Sequence, residues 1–194
     1  ALPASMAIRA ATTAPQVVVI GGGFGGATVA KYLRMWGGNI DVTLVDAKAS
    51  HIACILSNLV VTNSLSLSSI TLSYDNLRNK HGVRVLKGSA TAIDPVGRQV
   101  TLAGGTRLPY DRLVLAPGID FMPIPGWDPN KIPHAWQAGP QTTLLKNQLA
   151  NMPSRGNFVM TIPKAPYRCP PGPYERACVV ADYLKRRKPG SRVI

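Results

Sequence analysis

Redox chemistry in this 194-residue chain would start at Cys169. That residue lies in the stretch Tyr167-Arg-Cys-Pro-Pro-Gly-Pro-Tyr-Glu-Arg176, just ahead of a helical pattern and between two arginines in sequence, Arg168 and Arg176. A helix N-terminus and neighbouring cations favour the thiolate, which is the reactive form of cysteine. Glu175, at the start of the helical pattern, is placed to carry a proton to or from a reacting sulfur. The prolines stiffen the loop and would hold both residues in one geometry. The residues alone leave other readings open. A single cysteine can equally be an inert, buried small residue, and a glutamate in a first helical turn is a favourable charge against the helix dipole.

A second group of residues points to a nucleotide. Val17-Val-Val-Ile-Gly-Gly-Gly-Phe-Gly-Gly-Ala27 contains the G-x-G-x-x-G spacing as Gly21, Gly23 and Gly26. Val17–Ile20 reads as a buried parallel strand and 27–34 as a helix. A second strand, 41–45, runs into the acid Asp46, about twenty residues past the last glycine. One glycine permits the tight turn, one lets backbone N–H groups approach a pyrophosphate, and one lets helix and strand pack closely. The helix N-terminus supplies partial positive charge to phosphates, and Asp46 is placed to accept from ribose hydroxyls. Strand, helix and terminal acid together make dinucleotide binding the expected role of this turn.

These two groups must be positioned by an α/β framework. After Asp46 the connection 47–57 contains Cys54. The Ser-Leu alternation at 64–68 fits a short strand or an irregular loop, and 74–80 reads as a helix. Residues 83–86 form a third parallel-strand candidate. Short antiparallel strands then follow at 89–93, 99–102 and 106–108, with turns at Asp94-Pro-Val-Gly97 and Gly104-Gly105. A last buried strand, 112–116, stops at Pro117-Gly118. This order resembles the FAD-binding domain of two-dinucleotide-fold flavoproteins. Tyr110-Asp-Arg-Leu-Val-Leu-Ala-Pro-Gly118 resembles their second flavin motif, where a small residue (Ala116) and a glycine (Gly118) take the chain past the cofactor. Asp111 reads as a structural hydrogen-bonder.

The expected fold is therefore three-layer α/β, a two-dinucleotide-binding-domain flavoprotein of the glutathione-reductase-like kind. Residues 1–15 read as a flexible N-terminal segment. Residues 16–118 form the first segment of an FAD-binding domain. Residues 119–194 hold a linker, a helix over 141–152 and the strand 157–162, helix 175–187 and strand start at Ser191 of a second dinucleotide-type domain carrying Cys169. The strand begun at Ser191 leads us to expect a C-terminally truncated chain. The turn of that second unit lacks its glycines. Four prolines after Lys164 remove backbone donors, so nicotinamide binding is not expected.

Composition narrows the partners. The formal net charge is +13, from 22 Lys and Arg against 9 Asp and Glu. Lys185-Arg-Arg-Lys188 reads as a solvated helix end whose cations oppose the macrodipole. No aromatic-basic module accompanies the charge, so nucleic acid is not expected. Three cysteines at these spacings form neither a disulfide scaffold nor a zinc site. No stretch is apolar over the length of a bilayer.

Tyr167-Arg-Cys-Pro-Pro-Gly-Pro-Tyr-Glu-Arg-Ala177, Cys54-Ile-Leu-Ser-Asn58 and Pro133-His-Ala-Trp-Gln-Ala-Gly139 resemble, in the same order, strings of the flavoprotein subunit of flavocytochrome c sulfide dehydrogenase. The resemblance runs from about Val17 to Ile194. It implies FAD linked covalently through its 8α-methyl to Cys54, which otherwise reads as an ordinary loop or core cysteine. It implies a redox-active disulfide between Cys169 and a distant C-terminal cysteine, with Glu175 as proton carrier. Cys178 does not match the family's second cysteine, and we expect it to be buried on the helix. The resemblance further implies oxidation of sulfide to sulfur or polysulfide, a c-type cytochrome partner carrying haem c, and a periplasmic location. This chain has no C-x-x-C-H haem motif. Sulfide:quinone oxidoreductase and a non-catalytic flavin-binding subunit are the rival expectations.

Overall fold

A computed structural model describes residues 14–162 and 164–194. The expectation for the N-terminal segment falls, over residues 1–13, outside the described residues. Along the chain the elements are β1 (Gln16–Ile20), α1 (Phe24–Trp36), β2 (Asp41–Asp46) and β3 (Ser50–Ile52), followed by α2 (Ser57–Val61) and β4 (Thr71–Ser73). Next come α3 (Asp75–His81), β5 (Arg84–Lys87), β6 (Ala90–Asp94), β7 (Gln99–Leu102), β8 (Arg107–Pro109) and β9 (Arg112–Leu115). The chain then forms α4 (Pro140–Asn151), β10 (Asn157–Phe158), α5 (Gly172–Arg187) and β11 (Arg192–Val193). Two compact units result. Among the described residues, one takes in those up to His51 with Ser73–Asp120, the other Ile52–Leu72 with those from Phe121 to Ile194.

The first unit is built on a parallel sheet of order β5-β2-β1-β9. In register, Val18 of β1 faces Thr43 of β2 and Leu113 of β9. Strands buried on both faces carry continuous apolar runs, and Val17, Val18 and Val19 are all buried. Side chains alternate across the sheet. Val17 and Val19 pack with Ala30, Leu44 and Tyr74 on the face covered by α1 and α3. Val18 and Val45 pack with Val100, Leu102 and Leu108 of the antiparallel sheet β6-β7-β8 on the other. Helix, parallel sheet and antiparallel sheet thus make the three layers, with the β1–α1 turn at the carboxyl edge of the central one.

In the second unit α2, α4 and α5 share a core of Val61, Ala135, Leu145, Leu149, Val180 and Leu184. Strands β10 and β11 pair in parallel, Asn157 with Arg192 and Phe158 with Val193. This is the short β-α-β unit expected after residue 157, with two residues in its first strand rather than six. Residues 64–68 form no strand. They lead into a 3₁₀ turn at Ser68–Ile70, and β4 follows. Among the described residues no helix is long and apolar enough to cross a membrane.

Candidate functional site

The glycine turn of the first unit is a cradle with no room for side chains where it meets its own backbone. A Cβ on Gly21 would lie 2.1 Å from the Ala116 carbonyl oxygen, and one on Gly26 would lie 1.8 Å from that of Gly21. Gly21 also has φ +99°, which L side chains rarely adopt. Ala116 therefore packs directly under the turn, its N–H bonded to Ile20 O at 2.8 Å. Gly23 differs: a Cβ there would meet nothing nearer than His51, at 3.7 Å. It caps α1, whose first-turn amides have no acceptors within the helix. Gly118, at φ +83°, has open space around it. Close-packed glycines, a free helix end and an open approach at Gly23 fit the pyrophosphate of a dinucleotide.

Asp46 holds this turn as well as ending its strand. Its Oδ2 accepts from Gly22 N–H at 2.6 Å and its Oδ1 from Lys48 N–H at 2.7 Å. The Tyr74 hydroxyl, on a residue 3% exposed, bonds the same carboxylate. Burial first, and then Asp46, push the Tyr74 hydroxyl up to about 12. These three donors leave the carboxylate about one further lone pair for a ribose hydroxyl. His51 lies edge-on to Phe24 with ring centroids 5.0 Å apart, and burial lowers its pKa, which favours the neutral ring.

The sulfur chemistry belongs to the second unit. Cys169 is exposed, with the left-handed φ of +60°. Its carbonyl accepts from Gly172 N–H at 2.9 Å, closing the turn into α5. A Cβ on Gly172 would sit 3.4 Å from Cys169 Sγ and 3.4 Å from the Trp136 ring, so the thiol and the indole flank the same glycine. Glu175 lies in the first turn of α5 and is exposed. Its Oε1 accepts from Asn58 Nδ2 at 2.8 Å. Cys54 is exposed at the start of a 3₁₀ turn, Cys54–Leu56, and its carbonyl accepts from Ser57 Oγ at 2.6 Å. Cys178 is exposed, not buried as expected, because its position on α5 lies outside the face formed by Arg176, Val180 and Leu184.

Arg176 organises this cluster, and its part was not foreseen. The side chain is 3% exposed and runs inward, away from the role of an open cation beside a thiolate. Nε donates to Asn58 Oδ1 at 2.9 Å, Nη1 to the carbonyl of His134, and Nη2 to that of Ala135 at 2.7 Å. The guanidinium carbon lies 3.4 Å from the centroid of the Trp136 ring. Ala135, fully buried, takes φ +49° to present its carbonyl. Burial pushes the Arg176 pKa down to about 10, with Glu175 opposing, so the group stays charged at neutral pH. Burial and then the Arg176 charge lower the His134 pKa, favouring its neutral form.

The structure thus brings Glu175 together with the segment that follows Cys54, through Asn58. It brings Arg176 to that same segment and to residues 134–136. The glycines, Asp46, Ala116 and Gly118 belong to the first unit, and Cys54, Cys169 and Glu175 to the second. Asn58, Arg176 and Tyr74 were missed as site residues. The three short strings noted in the sequence carried the only signal for the first two, since Asn58 and Arg176 each lie inside one.

Residues 142–194 match the family model for the central part of the sulfide dehydrogenase [flavocytochrome c] flavoprotein chain. Over 45 residues the chain is 56% identical to the sulfide dehydrogenase [flavocytochrome c] flavoprotein chain of Chlorobaculum thiosulfatiphilum, covering 23% of this chain and 94% of that sequence. Over 111 residues it is 34% identical to ferroptosis suppressor protein 1 of Taeniopygia guttata, covering 57% of this chain and 28% of that relative. Among solved structures, the sulfide:quinone oxidoreductase from the hyperthermophilic bacterium Aquifex aeolicus matches with a TM-score of 0.74 and 26% identity. That match covers 91% of this chain and 41% of the other. The chain therefore spans well under half the length of these two larger relatives. Residues 15–148, more than half of the chain, match the family model described as pyridine nucleotide-disulphide oxidoreductase. With a glycine cradle fitted to a dinucleotide, the chain belongs to that family of flavin-dependent oxidoreductases.

Proposed function

We propose that the protein is the flavoprotein of a sulfide dehydrogenase, oxidising sulfide to sulfur or polysulfide and delivering electrons to a c-type cytochrome that carries haem c. One observation carries this reading: Arg176 and its neighbour Glu175 tie together the three segments whose sequences resemble that family. The match of residues 142–194 to the sulfide dehydrogenase flavoprotein chain supports it.

FAD, when bound, supplies an acceptor that takes two electrons together and gives them up singly. Gly21, Gly23 and Gly26 would hold its pyrophosphate at the head of α1, and Asp46 its ribose. Cys54, exposed at the start of its turn, is the residue for a thioether to the 8α-methyl. Cys169 is one half of a disulfide whose other half is a cysteine in the C-terminal part of the full-length protein. Hydrosulfide attacks this disulfide. A new S–S bond forms to one cysteine as the old one breaks, leaving a persulfide there and a thiolate on the other. That thiolate carries the electron pair destined for the flavin. Glu175 takes the proton of the attacking hydrosulfide on the oxygen that Asn58 does not occupy. A periplasmic location goes with this function and is tested by cell fractionation.

The similarity to the Aquifex aeolicus enzyme favours a second reading, sulfide:quinone oxidoreductase. The test is acceptor-dependent sulfide consumption by the full-length protein. The first reading predicts cytochrome c reduction that is lost in Cys169→Ser. It also predicts a flavin that stays on the Cys54 peptide after denaturation, seen by mass spectrometry. Quinone reduction without cytochrome reduction supports the second reading and defeats the first.

A further inference from the structure

The Asn58 amide is buried, 6% exposed, between two charged groups. An arginine guanidinium donates and cannot accept. The oxygen of Asn58 must therefore face Arg176, and the NH₂ group is left for Glu175. The observed bonds have that polarity, Arg176 Nε to Asn58 Oδ1 at 2.9 Å and Asn58 Nδ2 to Glu175 Oε1 at 2.8 Å. Arg176 is fixed in turn. Its other nitrogens are held by the carbonyls of His134 and Ala135, and its plane lies over Trp136. The backbone of Asn58 is also pinned, because its carbonyl accepts from Thr62 Oγ1 at 3.1 Å. An amide turned by 180° would set NH₂ against guanidinium and oxygen against carboxylate, leaving buried groups unpaired at both ends.

We infer that Asn58 is a positioning residue that, with its amide direction set by Arg176, reserves Oε1 of Glu175 as a hydrogen-bond acceptor and confines any proton Glu175 carries to Oε2. Asn58 touches neither substrate nor cofactor in this role. It acts through Glu175, and the arrangement makes one oxygen of an exposed carboxylate the working one. The inference rests on the proposed function only for the use to which the proton is put. The amide geometry stands without it.

Two measurements on the full-length holoprotein test this, and they fail separately. The first is the side-chain amide signal of Asn58 in ¹⁵N-asparagine-labelled protein, assigned by its loss in Asn58→Asp. In the wild type one amide proton is shifted downfield and protected from exchange by the carboxylate. In Glu175→Ala it returns to the ordinary amide region. A signal that Glu175→Ala leaves unchanged overturns the inference.

The second measurement is a double-mutant cycle on flavin reduction by sulfide. Asn58→Asp keeps an oxygen for Arg176 and removes the donor to Glu175. It lowers the reduction rate on the order of 10- to 100-fold with little change in half-saturating sulfide. In a Glu175→Gln background the same change costs less than about twofold, because its effect runs through Glu175. Additive losses overturn the inference, since a merely structural role would give them. A wild-type flavin that sulfide does not reduce defeats the proposed function instead, and the amide signal then decides the inference alone.

Discussion

Replacing Arg176 with methionine removes a buried charge and leaves its acceptors behind, and the balance can be worked from the contacts. Three hydrogen bonds from a charged donor are lost, to Asn58 Oδ1, His134 O and Ala135 O. Bonds of that kind contribute about 1.5–3 kcal/mol each, so roughly 5–9 kcal/mol disappears. Stacking on Trp136 adds about 1–2 kcal/mol to the loss. Against this stands the relief of burying the charge. Burial drives the pKa from 12.5 to about 10, which corresponds to a regained stability on the order of 3 kcal/mol. The net effect is a destabilisation of about 3–8 kcal/mol, because orphaned acceptors outweigh the recovered desolvation. For a domain of this size each kcal/mol moves the midpoint by about 2–4 °C. Thermal unfolding of the full-length protein should therefore show a fall of roughly 6 °C or more. The exposed Arg187, replaced in the same way, should shift it by no more than about 2 °C. A change at Arg176 as small as that at Arg187 would refute the claim that this side chain ties the three segments together.

Other perturbations address the first unit. Gly26→Ala would place a methyl 1.8 Å from the Gly21 carbonyl oxygen, a backbone atom that cannot swing aside as the end of a side chain could. It should cut the flavin bound per chain several-fold, read from the visible-to-ultraviolet absorbance ratio, and full flavin content would contradict the cradle. Tyr74 is held protonated up to about 12, above the ordinary value of 10.0. Its contribution to stability is complete below about pH 10 and is lost as pH rises from there through about 12. Tyr74→Phe should flatten that part of the alkaline stability curve, measured by denaturant unfolding at fixed pH values, and an unchanged slope would remove Tyr74 as its cause.

Much of the first unit was readable from its residues, for reasons visible in the core. Val17, Val18 and Val19 are continuous and apolar because helices cover one face of the sheet and a second sheet covers the other. The glycine spacing was readable because Gly21 and Gly26 have no room for a Cβ. The start of α1 was expected three residues late. Gly25 and Gly26 are poor helix formers, yet the turn requires them inside the helix. Helix α2 was missed because Ser-Asn-Leu-Val-Val carries little helical signal. Packing holds it, with Val60 and Val61 each 1% exposed. The role of Arg176 was illegible for a similar reason. Its partners lie 41 to 118 residues away, and no local pattern records a contact at that range. Cys178 was expected to be buried, but the angular position of α5 exposes it. Cys54 became a candidate only through the likeness of short strings, whereas Cys169 and Glu175 were marked also by the helix start and the arginines that flank them in sequence.

The central claim is that this flavin-holding fold takes its electrons from sulfide through Cys169, not from a nicotinamide. The most direct measurement is the visible absorbance of the full-length protein, mixed without oxygen with sulfide in one syringe and NADH in another. The account predicts rapid bleaching of the flavin bands by sulfide, lost in Cys169→Ser, and none by NADH. Bleaching by NADH with indifference to sulfide would contradict it.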